Sequence, residues 1–124
     1  MRHILVVDDS YTIREMVAGC IKDQDNKIIR AADGIEALAI AKTTRFDLVI
    51  TDINMPNMDG LTLVEKLRKL PHYKKIPLLV LATESDPNMK KKASDLGVTG
   101  WILKPINQDA FASIIDKVMQ RSEK

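Results

Sequence analysis

The sequence predicts an α/β domain in which helices cover both faces of a parallel sheet. Two observations carry this reading. Short apolar runs of strand length alternate five times with segments whose apolar residues recur at helical spacing. Most of the strand runs are continuously apolar, as strands buried on both faces require. A chain of 124 residues suits one domain with a real core and is too short for two comfortable ones.

The first run, Ile4-Leu5-Val6-Val7, stops at Asp8-Asp9-Ser10. Ile13, Met16, Val17, Cys20 and Ile21 then form the buried stripe of a helix, with Ser10 or Asp9 as its N-cap. Residues 23–26 break that pattern. Lys27-Ile28-Ile29-Arg30 is a brief second strand, and Ala32-Asp33-Gly34 is a turn into an alanine-rich helix over 35–42. Arg45-Phe46 lead into the third strand, Leu48-Val49-Ile50-Thr51-Asp52.

Pro56-Asn57-Met58-Asp59-Gly60 has the chemistry of a loop. Leu63, Val64 and Leu67 mark the next helix, which closes before Pro71. Leu78 to Ala82 is the fourth strand, followed by Thr83. Pro87 suits the first turn of a helix striped by Met89, Ala93 and Leu96, with Gly97 as its C-cap. Trp101-Ile102-Leu103 is the fifth strand, halted at Lys104-Pro105. Phe111, Ile114, Ile115 and Val118 stripe the last helix. Right-handed crossovers leave few topologies. A flavodoxin-like, doubly wound sheet of order 2-1-3-4-5 with five helices is the expected architecture, as one domain over 1–124.

Composition narrows the function. The formal net charge of +2 is too mild to argue for nucleic acid. A single cysteine, Cys20, excludes an internal disulfide and suits a reducing cytoplasm; it falls on the apolar stripe and reads as core. No apolar run approaches the roughly 20 residues of a membrane span, and the first residues lack a signal-peptide layout. A cytoplasmic protein is expected. His3 and His72 show no partner pattern.

All strands of a parallel sheet end on one edge, so the residues that follow them converge. Asp8 and Asp9 follow the first strand, Asp52 ends the third, Thr83 follows the fourth and Lys104 the fifth. Singly these are a helix cap, a turn residue, a strand-end threonine and a surface lysine. Together they crowd three acids at the switch point between strands one and three, where like charges repel unless a cation intervenes. A hard divalent cation such as Mg²⁺ binds carboxylate oxygens and keeps positions open for water and phosphate. Thr83 offers a hydroxyl and Lys104 a charge to phosphate oxygens. Carboxylates can act as nucleophiles and form acyl phosphates, and Asp52 is the best candidate. The Asp8-Asp9 pair would hold the metal. No histidine–cysteine zinc cluster, Walker loop or GxGxxG loop occurs.

This set, Asp8-Asp9, Asp52 with Met55-Pro56 and Asp59-Gly60, Thr83 and Lys104-Pro105, resembles the receiver domain of two-component response regulators. The closer resemblance is to single-domain chemotaxis regulators of the CheY type, carried by the stretch from Asp52 to Gly60, by Thr83-Glu84-Ser85 and by Gly100 to Pro105. The resemblance implies a phosphoryl group accepted by Asp52 from a CheA-like sensor histidine kinase. It implies Mg²⁺ bound by Asp9, Asp52 and the Asn54 backbone carbonyl, with Asp8 acting through water. It implies a cis Lys104–Pro105 peptide, a switch through Thr83 and Trp101, and dephosphorylation governed by Asn54 and Ser85. A phosphorylation-dependent target such as a flagellar motor switch protein would read the outcome, with no membrane and no nucleic acid involved. With no output domain after the last helix, the chain is expected to catalyse only its own phosphoryl transfer and dephosphorylation. Two positions depart from the family habit: Trp101 stands where Tyr or Phe is usual, and Glu84 where a small residue is common.

Two other readings compete. A haloacid-dehalogenase-type phosphohydrolase would need its nucleophile in a D-x-D after the first strand, where this chain has Asp8-Asp9-Ser10. An interaction module that no longer takes phosphate would have no use for the full set of acids, hydroxyl and lysine.

Overall fold

A computed structural model describes residues 2–21, 26–55 and 57–122, so most of the predicted break at 23–26, and Pro56, lie outside the described residues. The strands are β1 (Arg2–Val7), β2 (Asn26–Ala31), β3 (Leu48–Asp52), β4 (Leu78–Ala82) and β5 (Gly100–Leu103). The helices are α1 (Tyr11–Gly19), α2 (Gly34–Thr43), α3 (Gly60–Arg68), α4 (Pro87–Asp95) and α5 (Gln108–Ser122). All four strand pairings are parallel, in the order β2-β1-β3-β4-β5. The predicted strand order and five α-helices are the observed ones among the described residues.

The continuous apolar runs are explained by two cores. Leu5, Val7, Val49 and Val80 face one of them, together with Ala37 and Ala41 of α2, Leu63 and Leu67 of α3, and Ala93 of α4. Ile4, Val6, Leu48, Ile50, Leu79 and Leu81 face the other, against Val17 of α1, Cys20 at its C-terminal cap, and Phe111 and Ile115 of α5. β3 is buried at every residue, whereas β5 at the sheet edge is not, and Leu103 is 47% exposed. Burying a side chain of this size stabilises by about 1.5–3 kcal/mol, so the central strands are the best-anchored part of the fold. No helix among the described residues is long and apolar enough to cross a membrane.

Helix starts follow their caps. Ser10, rather than Asp9, caps α1 by accepting from the Ile13 N–H. Asp33, Asp59 and Asp86 do the same for α2, α3 and α4, and Pro87 occupies the first turn of α4. Leu96 is the cap at the end of α4, and Gly97 just beyond it takes φ 74, the left-handed conformation glycine adopts at low cost. A 3-10 turn at Pro71–Tyr73 was not expected. It gives His72 a partner that the sequence pattern did not show, since His72 Nε2 lies 2.8 Å from the Phe46 carbonyl oxygen. Tyr73 is 2% exposed, and its hydroxyl accepts from the Phe46 N–H at 3.2 Å and contacts the Ala41 and Thr44 carbonyls.

Candidate functional site

The register of the sheet brings Val7 beside Thr51 and Asp52 beside Leu81, so the residues just beyond β1, β3 and β4 share one edge. Asp8 continues β1 far enough for its N–H to donate to the Ala31 carbonyl at 3.1 Å. Its Oδ1 accepts from the Ser10 N–H at 2.9 Å, which aims Oδ2 across the edge. Asp9 is exposed, whereas Asp8 and Asp52 are 1% and 3% exposed. The backbone around Asp52 is held by the Ile53 N–H donating to Leu81, by the Gly60 N–H donating to Ile53 and by the Thr51 hydroxyl donating to the Asp52 carbonyl.

Lys104 enters from the far side of the sheet. Its N–H donates to the Ala82 carbonyl at 2.8 Å, and the Lys104–Pro105 peptide is cis. Nζ reaches Asp8 Oδ2 at 3.3 Å and Asp52 Oδ1 at 3.2 Å. Only the Asp8 contact has hydrogen-bond geometry; Asp52 Oδ1 is buried with no hydrogen-bond partner among the described residues.

Burial drives the electrostatics. Desolvation pushes the Asp8 carboxyl above its ordinary range, and the Asp52 charge adds to that, while the Ser10 N–H and Lys104 pull the other way. Burial by itself would lower the Lys104 ammonium, but the combined charges of Asp8 and Asp52 outweigh it and raise it.

The carboxylates of Asp8, Asp9 and Asp52 offer ligand oxygens within 4.8 Å of one another. The residues fit a hard divalent cation on two grounds. Two of the three acids share one ammonium, which leaves negative charge uncompensated, and a buried carboxylate oxygen has unused acceptor capacity.

Asn54 and Thr83, both exposed, meet across the β3–α3 and β4–α4 loops, with Asn54 Nδ2 donating to Thr83 Oγ1 at 3.3 Å. Ser85 and Glu84 are exposed on the second of these loops. Trp101 pairs with Val80 in the sheet, packs against the α2–α3–α4 core and is half-buried. Its Nε1 is buried with no hydrogen-bond partner among the described residues. Two contacts have no signal in the sequence: Arg14 donating to the Asp8 carbonyl at 2.7 Å, and Asn57 donating to Asp33 at 3.2 Å. Both join residues whose spacing follows no period.

The chain matches the response regulator receiver domain family over residues 4–116. It belongs to that family. Among relatives of this receiver, chemotaxis protein CheY-3 of Vibrio cholerae is 35% identical over 119 residues, covering 95% of this chain and 92% of that one. Chemotaxis protein CheY of Pseudomonas aeruginosa is 31% identical, covering 95% and 96%. The solved structure of chemotaxis response regulator CheY4 of Vibrio cholerae superposes with a TM-score of 0.87 at 42% identity, covering 95% of this receiver and 98% of that chain.

Proposed function

We propose that this receiver is a phosphorylation-activated switch of a chemotaxis pathway, with Asp52 as the phosphoacceptor. One observation carries the reading. Asp52 ends the central strand, is 3% exposed, has Asp8 and Asp9 carboxylate oxygens within 4.8 Å, and keeps one oxygen charge-balanced by Lys104 but without a hydrogen-bond partner among the described residues. An oxygen in that state retains a lone pair for attack. Relatives of near-equal length named as chemotaxis proteins support the pathway.

In the transfer step Asp52 attacks the phosphorus of a phosphohistidine on a sensor kinase. The phosphorus–nitrogen bond breaks, and the imidazole leaves with its electron pair and takes a proton from solvent. Asp9, Asp52 and the Asn54 carbonyl would hold Mg²⁺, with Asp8 acting through water. A bound Mg²⁺ would supply positive charge to offset that on the transferring oxygens. Lys104 balances the acyl phosphate, whose phosphoryl group carries about −1.5 to −2 charge where the free carboxylate carried a single negative charge.

Thr83 then donates its hydroxyl to a phosphoryl oxygen and draws its loop inward. Trp101 turns into the vacated space, and the face built from α4, β5 and α5 repacks. A target that prefers this packing shifts the population toward it. The exposed Lys90, Lys91 and Lys92 on α4 suit an acidic segment of that target, a flagellar motor switch protein being the fitting example. Asn54 and Ser85 flank the water that later hydrolyses the acyl phosphate. Neither is a strong base, so dephosphorylation is moderate in rate. The protein works in the cytoplasm and turns over no substrate other than its own phosphoryl group.

Mass spectrometry after incubation with acetyl phosphate and Mg²⁺ tests the central claim. Wild type gains one phosphoryl group and Asp52→Ala gains none. Equal labelling of both overturns the assignment, and steady release of phosphate from esters would favour a hydrolase.

A further inference from the structure

The loop that leaves Asp52 runs to Asp59 and is anchored at its two ends by the Ile53 and Gly60 amides. Asn57 and Met58 of this loop rest on the turn between β2 and α2. Asn57 Nδ2 donates to Asp33 Oδ2 at 3.2 Å, while Asp33 Oδ1 accepts from the Glu36 N–H at 2.8 Å. One carboxylate therefore caps a helix with one oxygen and grips a neighbouring loop with the other. Glu36 reaches back to the Ala32 N–H at 3.2 Å, which fixes the turn that presents Asp33.

Two further features place the loop against this turn. A Cβ on Gly34 would lie 2.8 Å from the Met58 carbonyl oxygen, so Met58 sits directly on the glycine. Asn57 itself has φ 70, a conformation asparagine tolerates better than most side chains. The Asp33 carboxyl is held below its ordinary range, first by the Glu36 amide and then by Asn57.

We propose that Asp33 and Asn57 form a latch that positions the Asn54 backbone carbonyl for a divalent cation. Asn54 lies three residues before Asn57 on the same loop, so the latch sets where that carbonyl points. The inference rests on the proposed cation site of Asp9, Asp52 and Asn54, and it adds two positioning residues that do not themselves bind the ion.

Isothermal titration of the unphosphorylated protein with MgCl₂ tests it. Asp33→Ser keeps a helix-capping hydroxyl but is too short to reach Asn57. Asn57→Gly keeps the left-handed backbone and removes the donor. Each is expected to weaken Mg²⁺ binding by roughly three- to tenfold, the worth of one such hydrogen bond. The double variant should lose no more than either single one. The exchange Asp33→Asn with Asn57→Asp restores a donor and an acceptor with unchanged net charge, and should return affinity to within about twofold of wild type.

Single variants that bind like wild type would overturn the latch. So would a double variant that loses the product of both effects, or an exchange that recovers nothing. Wild type that binds no Mg²⁺ would instead overturn the cation site and the latch with it.

Discussion

Asp8 Oδ2 and Asp52 Oδ1 converge on one ammonium, Lys104 Nζ, at 3.3 and 3.2 Å. One cation cannot balance two buried carboxylates, and Asp9 stands close by. The metal-free fold therefore carries a local excess of negative charge.

Removing Asp8 should relieve that excess. Burial, with the Asp52 charge, raises the Asp8 carboxyl above its ordinary value of 3.8. A raised carboxyl contributes stability below 3.8 that is lost as pH rises through its folded value. In EDTA at pH 7, Asp8→Asn should thus be more stable than wild type, by on the order of 1 kcal/mol in urea unfolding. The gain should shrink as pH falls toward 3.8. The same variant should bind Mg²⁺ roughly tenfold more weakly. A variant less stable than wild type in EDTA would contradict this account.

Gly60 sets the distance between α3 and the end of β3. A Cβ there would lie 2.1 Å from the Asp52 carbonyl oxygen, a backbone atom that cannot step aside. Gly60→Ala should cost about 3 kcal/mol and slow acetyl phosphate labelling of Asp52. Gly19 in α1 is the control, with nothing among the described residues within 4 Å of its added Cβ. Gly19→Ala should stabilise by about 0.5–1 kcal/mol and leave labelling unchanged. Equal effects at the two positions would remove the steric argument.

Arg68 binds carbonyls instead of a carboxylate. It donates to Tyr73 and Gly97 at 2.7 Å and to Ile76 and Leu96 at 2.9 Å. Burial lowers its pKa. The side chain ties the end of α3 to the entry of β4 and the end of α4. Arg68→Met keeps much of the length and loses every donor. It should cost about 2–4 kcal/mol, with amide exchange accelerating most around 76–78 and 96–99. Uniform acceleration across the sheet would point to general destabilisation instead.

The five strands and the acids at their ends were readable because a parallel sheet buries both faces. Such strands are written as unbroken apolar runs, and whatever follows a run stands at the shared edge. Asp8, Asp52 and Lys104 are brought together as expected, since strand order and register alone place them. The helix caps were partly readable. Ser10 takes the cap of α1 because Asp8 Oδ1 binds the Ser10 N–H and leaves its hydroxyl for Ile13.

The sequence by itself determined the fold class, the strand order and the convergence of the acids with Lys104, because periodicity and strand ends are local properties of the chain. Only the tertiary structure decided that Asn54 meets Thr83, that Asp33 grips Asn57, that Arg68 gathers four carbonyls, and that His72 and Tyr73 tie the end of α2 and Phe46, before β3, together. Most of these join residues more than twenty positions apart in loops, where no period exists to announce them. They depend on two loops arriving at one place with a donor and an acceptor facing each other, and that depends on the packing of the whole sheet.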